Sequence, residues 1–339
     1  MNNIIRMYEN LKHVESFDDL VNVLTLEHGM PRRKVYPEDL NLFDRCMMVA
    51  MDYVKWQYVK NLRPRASVSE MEFRLNVRSR AVAFYSVLKA GAIKPLFLMM
   101  PEASKFIKAT AFTEKLTPEF FVENFSHPLV LYSGDPKTLF DNVLCVALLY
   151  NEHDRTLECQ LSQHYSKSSS HEACSSFFVD DLTGVFSRRN IAKCEDNEYV
   201  SYRQTGVVTD ELDKFYDAML YAFKFVLLRQ CQKQIIVTEA QHKKKNTNIK
   251  KQKQIFGTLN YQRVSLTTEY RTAIGAQSDS DEVVVLDKEG KELKATKVRG
   301  FLRRQHYGPE NSLIKTVYID AHESHSWMKT GLRIVKVVK

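Results

Sequence analysis

From Val143 to Asp180 the chain passes through three strand-like runs with little sequence between them, and this stretch constrains the fold more than any other. Val143 to Tyr150 is a continuous apolar run, and Asn151-Glu-His-Asp154 is a turn. Thr156 to His164 alternates polar and apolar residues as a half-buried strand does. After the polar Ser166–Ser170 loop, Ser175 to Asp180 reads as another strand. Strands this close in sequence pair antiparallel, because parallel neighbours need a crossover of a dozen residues or more. Two further short apolar runs, Pro95–Met100 and Pro128–Ser133, read as strands, the first of them buried.

Helical patterns flank these strands. Phe17 to Glu27 is a short amphipathic segment, and Pro37-Glu-Asp opens a longer helix in which Leu42, Cys46, Val49 and Tyr53 fall on one face. Ser67-Val-Ser-Glu70 has the form of a capping box ahead of a helix to about Lys89, with Gly91 as its stop. Thr117-Pro-Glu opens a short helix with Pro at its first position. Thr209-Asp-Glu-Leu starts the longest one, to about Lys233, with a stripe of Leu212, Phe215, Met219, Phe223 and Val226 that suits packing across a sheet. The expected class is α+β, with N-terminal helices packed on a mostly antiparallel sheet, one long late helix and a basic, β-rich C-terminal module. In that module Val283–Leu286 and Leu293–Val298, joined by Asp287-Lys-Glu-Gly290, predict a hairpin, and Leu313–Ile319 and Leu332–Val338 two more strands. The expected division is a core domain over 1–240, a basic linker over 241–256 and a basic module over 257–339.

Of the 339 residues 44% are hydrophobic and 27% charged, which suits a globular chain with only short disordered segments. Met1 to Lys12 carries charges and no apolar run, so no secretory leader is expected. Phe215 to Cys231 is interrupted by Asp217, Lys224 and Arg229 and is unsuited to crossing a bilayer. The six cysteines, at 46, 145, 159, 174, 194 and 231, form no CxxC pair. Reduced thiols and a cytoplasmic, membrane-free location are the expectation.

The net charge of +8 is unevenly spread. Residues 241–254 hold six lysines and no acid, 255–290 three basic and six acidic residues, and 291–339 eleven basic and four acidic. The last 99 residues therefore carry +10 and the first 240 carry −2, an asymmetry typical of a polyanion-binding segment. Two stretches concentrate it. Lys243, Lys244, Lys245, Lys250, Lys251 and Lys253 suit non-specific phosphate contact. The segment 297–308 interleaves Lys297, Arg299, Arg303, Arg304 and His306 with Phe301 and Tyr307, and Lys315 follows. Arginine forks bind phosphates, and flat rings stack on unpaired bases. A set of arginines in the helical region, Arg63, Arg65, Arg74, Arg78 and Arg80, reads as a solvated face.

Arg303-Arg304, His306, Tyr307-Gly308, Lys315 and Val317-Tyr318-Ile319, in that order, resemble the tail module of a family of phage and mobile-element proteins that includes a type V-A anti-CRISPR. The chain has Gly300-Phe301-Leu302 where that family has Pro-His-aromatic, and it lacks the second Gly-His-aromatic-Arg repeat. The likeness implies a nucleic-acid or translation-linked role without nuclease chemistry of known type. The lysine-rich composition is also similar to that of large-phage early proteins that attach to host ribosomes. Together these lead to an expected RNA-binding protein, non-enzymatic and without cofactor, whose partner is ribosomal RNA, message or the host ribosome. The alternatives are an anti-defence protein that works through protein contact, and a metal-dependent nuclease built from Asp281 or Asp287 with Glu292-Leu-Lys294.

No phosphate-binding glycine loop, nucleophile elbow or HExxH is present. Cys159, His164, His171, Cys174 and Cys194 supply zinc-type donors at spacings that match no finger or ribbon, so no metal is expected.

Overall fold

The computed structural model describes residues 10–11, 13–31, 36–61, 70–90, 96–112, 114–133, 135, 138–140, 142–166, 169–188, 208–231, 235–240, 261–268, 270, 283–286, 296–298, 300–309, 313–320, 322–324 and 335–338. Helix α1 (Phe17–Asn22) runs into a π-helical turn (Val23–Glu27), followed by α2 (Leu42–Asn61) and α3 (Glu70–Ala90). Then come β1 (Leu96–Met99), α4 (Pro101–Ala109), β2 (Ala111–Phe112), β3 (Lys115–Leu116), α5 (Pro118–Phe125) and β4 (Leu129–Tyr132). Strands β5 (Val143–Asn151), β6 (Thr156–Ser166) and β7 (Ser169–Phe178) follow in succession. After them come α6 (Val179–Leu182), β8 (Gly184–Val185), α7 (Val208–Gln230), β9 (Ile236–Ala240) and β10 (Tyr261–Leu266). The chain ends in β11 (Val283–Leu286), β12 (Thr296–Val298), β13 (Phe301–Tyr307), β14 (Leu313–Ile319), β15 (His322–Ser324) and β16 (Val335–Val338). The class is α+β, as the sequence predicts.

The chain forms two compact units that do not follow chain order. The first comprises 1–101, 115–222 and 238–264, and the second 102–114, 223–237 and 265–339. The expected division into 1–240, 241–256 and 257–339 differs from this one, in which 102–114 and 223–237 group with 265–339. The expected linker, 241–256, lies outside the described residues.

Seven strands form one sheet in the order β7-β6-β5-β4-β1-β10-β9. The β4-β5-β6-β7 part is antiparallel, as expected, while β1 pairs parallel with both β4 and β10. Within the first unit the sheet is covered on both faces. One face presents Val130, Tyr132, Cys145, Ala147, Leu149 and Cys174 to the helical core of α1 to α3. On the other, Phe177 meets Phe215 of α7 at 5.7 Å between ring centroids, and α5 lies against β5.

Double coverage overturns the half-buried reading of β6, whose residues 156–163 are all buried. The polar positions Thr156, Glu158, Gln160 and Ser162 face helix rather than water, and α3 supplies partners. Glu158, at 0% exposure, accepts hydrogen bonds from Arg78 Nη2 (2.9 Å), Thr156 Oγ1 (2.9 Å) and Ser176 Oγ. Arg78 Nε donates to Ser176 Oγ (2.9 Å), and Gln160 Nε2 to the Ser79 carbonyl (2.6 Å). Burial, the largest influence on Arg78, disfavours its cation. The Glu158 carboxylate, helped by Cys174 and Asp154, outweighs burial and raises the pKa above the ordinary arginine value. Arg78 is thus a buried ion-pair member and not part of a solvated face. Arg74, one turn away, pairs in the open with Glu70 at 2.7 Å.

The helix expected from Pro37 begins instead at Leu42. Asn41 Oδ1 accepts from the Asp44 N–H at 2.9 Å, which satisfies a first-turn donor that Pro37 cannot reach. A capping box does occur, at Ser16 and Asp19. The one expected at Ser67 lies outside the described residues. Cys46, Cys145, Cys159, Cys174 and Cys231 are buried thiols outside any disulfide. Cys159 pairs in register with Ser175, and Cys174 with Gln160, so the two thiols fall on opposite faces of the sheet.

In the second unit α4 contributes Phe106, whose ring lies 5.7 Å from that of Tyr270 and 5.2 Å from that of Tyr318. The carbonyls at the end of α4 are satisfied by Thr110 Oγ1 (2.9 Å to Phe106 O) and by the buried Lys224 Nζ (3.3 Å to Lys108 O). Strands β14-β13-β2 form a three-stranded sheet.

Among the described residues, Val283–Leu286 does not pair with 296–298 as the expected hairpin of Val283–Leu286 with Leu293–Val298 requires. Strand β11 pairs antiparallel with β16, aligning Val283 with Val338 and Val284 with Val337, and β12 pairs with β15. Residues 287–295, including the expected turn, lie outside the described residues.

Candidate nucleic-acid interface

Strands β13 and β14 form an antiparallel hairpin whose register aligns Phe301 with Ile319, Arg303 with Val317, Gln305 with Lys315, and Tyr307 with Leu313. The β-branched residues of Leu313-Ile-Lys-Thr-Val-Tyr-Ile319 favour a pleated strand. Gly308 follows β13 at φ +79°, a conformation that glycine adopts without penalty, and a Cβ there would stand 3.0 Å from Leu313 Cδ1. The Tyr-Gly step thus turns the chain and seats Leu313 against the turn.

The pleat sorts the hairpin into two faces. Leu302 is fully buried, and its partner Tyr318 packs on Phe106 and Tyr270, which makes theirs the inner face. The outer face carries Phe301, Arg303, Gln305 and Tyr307 from β13, with Leu313, Lys315, Val317 and Ile319 from β14. Arg303 and Gln305 are exposed, Tyr307 is 40% exposed and Leu313 48%. Lys315 Nζ lies 5.2 Å from the Tyr307 ring centroid, a cation–π contact worth about 0.5–1 kcal/mol at an exposed site. Among the described residues neither Arg303 nor Lys315 has a carboxylate partner.

Strand β2 pairs with β13 only at Phe301 and Leu302. Beyond that point, residues 303–307 and 313–317 form a two-stranded ribbon with no further strand on either edge among the described residues. At roughly 3.4 Å per residue its five-residue length is about 17 Å.

The hairpin therefore brings together Phe301, Arg303, Tyr307 and Lys315 of the expected site. Arg304 and His306 are strand positions of β13, aligned with Thr316 and Ile314. Lys297 lies in β12, aligned in register with Glu323 of β15. Arg299 and Lys243, Lys244, Lys245, Lys250, Lys251 and Lys253 lie outside the described residues.

No protein-family model, curated protein or solved structure matches this chain. The hairpin's chemistry has to be read from its own residues. Gln305 and Leu313 belong to the outer face and escaped the sequence reading. Their signal was two-residue spacing, since Gln305 stands midway between Arg303 and Tyr307 on one strand face.

Among the described residues no cluster of His, Cys, Asp or Glu could hold a metal ion, and no helix is long and apolar enough to cross a membrane. The carboxylates of the nuclease alternative, Asp281, Asp287 and Glu292, lie outside the described residues.

Proposed function

We propose that the chain is a non-enzymatic RNA-binding protein of phage type. It acts in the host cytoplasm, attaches to ribosomal RNA or message, and modulates translation. The observation that carries this reading is the outer face of the β13-β14 ribbon. There Arg303 and Lys315, with no acidic partner among the described residues, flank Gln305 and the exposed ring of Tyr307. Cations on such a ribbon neutralise phosphates and release counterions, and a flat ring beside them adds affinity for bases. The segregation of charge into the last 99 residues and the tail resemblance support the translational part of the reading.

The test is RNA binding by the full chain and by Arg303→Ala/Lys315→Ala across a salt series. Removing two phosphate contacts lowers the slope of log affinity against log salt by about 1.4 for single strands. An unchanged affinity and slope overturn the assignment. Pull-downs with and without RNase separate this function from the anti-defence alternative. Partners that persist after RNase mean that the ribbon grips an acidic protein instead.

A further inference from the structure

We infer, on the strength of the nucleic-acid reading above, that the ribbon takes single-stranded RNA and that Tyr307 is the platform on which an unpaired base stacks. Lys315 holds its ammonium 5.2 Å from the ring centroid, so the ring is already supported by a cation. A base laid on the ring's free surface completes a layered contact, with the lysine charge close to the phosphate that follows the base. Leu313, aligned with Tyr307 and 48% exposed, extends the apolar step beside the ring. Gly308 fixes that neighbour, because the Leu313 side chain occupies the space a Cβ would need.

The remaining outer-face groups fit the same ligand. Arg303, Gln305 and Tyr307 project from one strand face at two-residue intervals of roughly 6.8 Å. That interval is close to the repeat of an extended single strand, so successive groups meet successive nucleotides. Arg303 offers a fork for a phosphate. Gln305, opposite Lys315 in register, offers both a donor and an acceptor to a base edge. A duplex satisfies none of this at the ring: its bases are paired and stacked, and the A-form major groove is too deep and narrow for side chains to read.

The experiment measures binding of the full chain to a short unstructured RNA carrying 2-aminopurine, and to the same strand annealed into a duplex. Wild type and the Tyr307→Phe, Tyr307→Leu and Arg303→Ala variants are compared. The expected result is tighter binding of the single strand and quenching of 2-aminopurine emission. Tyr307→Leu should lose affinity by on the order of tenfold together with the quenching, while Tyr307→Phe keeps both. Loss of binding in Tyr307→Phe as well overturns stacking in favour of a hydroxyl contact. Equal affinity for strand and duplex, with Tyr307→Leu neutral and Arg303→Ala weakened, overturns the single-strand inference while leaving RNA binding intact. Failure of the wild type to bind either RNA overturns the function itself.

Discussion

Arg78→Ala tests the polar layer beneath α3 most directly. The substitution leaves the Glu158 carboxylate, at 0% exposure, without its cation. Breaking a buried pair by removing one partner costs about 3–5 kcal/mol. Two hydroxyl donors, from Thr156 and Ser176, remain on the carboxylate and place the expected loss near the lower end, at about 3 kcal/mol. The reverse change is milder. Arg78 keeps 18% side-chain exposure, so in Glu158→Ala its long stem can turn the charge toward water, and about 2 kcal/mol is expected. Combining Arg78→Met with Glu158→Leu removes both charges and should cost at least 2 kcal/mol less than its two single changes added together. Urea unfolding monitored by tryptophan fluorescence, in which Trp56 reports on the helical part of the first unit, gives these values in one series. Strict additivity of the two single changes, or a cost below 1 kcal/mol for Arg78→Ala, would refute the buried-pair account.

Three further outcomes are expected. Gly308→Ala combines the strain of φ +79° with a 3.0 Å approach to Leu313 Cδ1. It should destabilise the hairpin by about 1–2 kcal/mol, read as lower protection of β13 and β14 in hydrogen exchange. Asn41→Ala removes the acceptor for the Asp44 N–H and should cost about 1 kcal/mol in urea unfolding, whereas Pro37→Ala should cost little because the helix does not start there. Stability should also fall in alkali. Burial pushes the Cys46 thiol up and the Cys231 thiol up to about 12, and burial is the main cause of raising Tyr85 and Tyr132 to about 12. A folded pKa above the unfolded one stabilises fully below the unfolded value, so the protein should hold its stability up to about pH 9. It should then lose stability progressively toward pH 12, by up to about 1.4 kcal/mol per pH unit for each ionising group. A flat stability profile between pH 8 and 11 would contradict this.

The local patterns were legible in the sequence where one element carried its own signal. The stripe of Phe215, Met219, Phe223 and Val226, the Pro118 helix start and the limits of Leu313–Ile319 all appear as read. Polar alternation in β6 misled because periodicity reports which residues share a face, not what covers that face. Only the arrival of Arg78 and Ser79 makes Glu158 and Gln160 interior groups. The tail strands misled for a related reason: Val283–Leu286 could pair with any valine-rich partner, and the one it takes lies about fifty residues on. At the candidate site the residue types were visible but their sides were not. Reading 301–307 as a single strand would have grouped Arg303, Gln305 and Tyr307 at once.

The discontinuity of the second unit has a practical consequence for anyone dissecting the chain. A fragment holding only 257–339 carries the ribbon but lacks 102–114 and 223–237, and with them Phe106, the ring on which Tyr318 rests. Such a piece would expose greasy side chains meant for an interior and would bind RNA, or any other surface, for the wrong reason. During synthesis the same wiring leaves α4 waiting for Tyr270 and Tyr318, which follow it by about 160 residues or more.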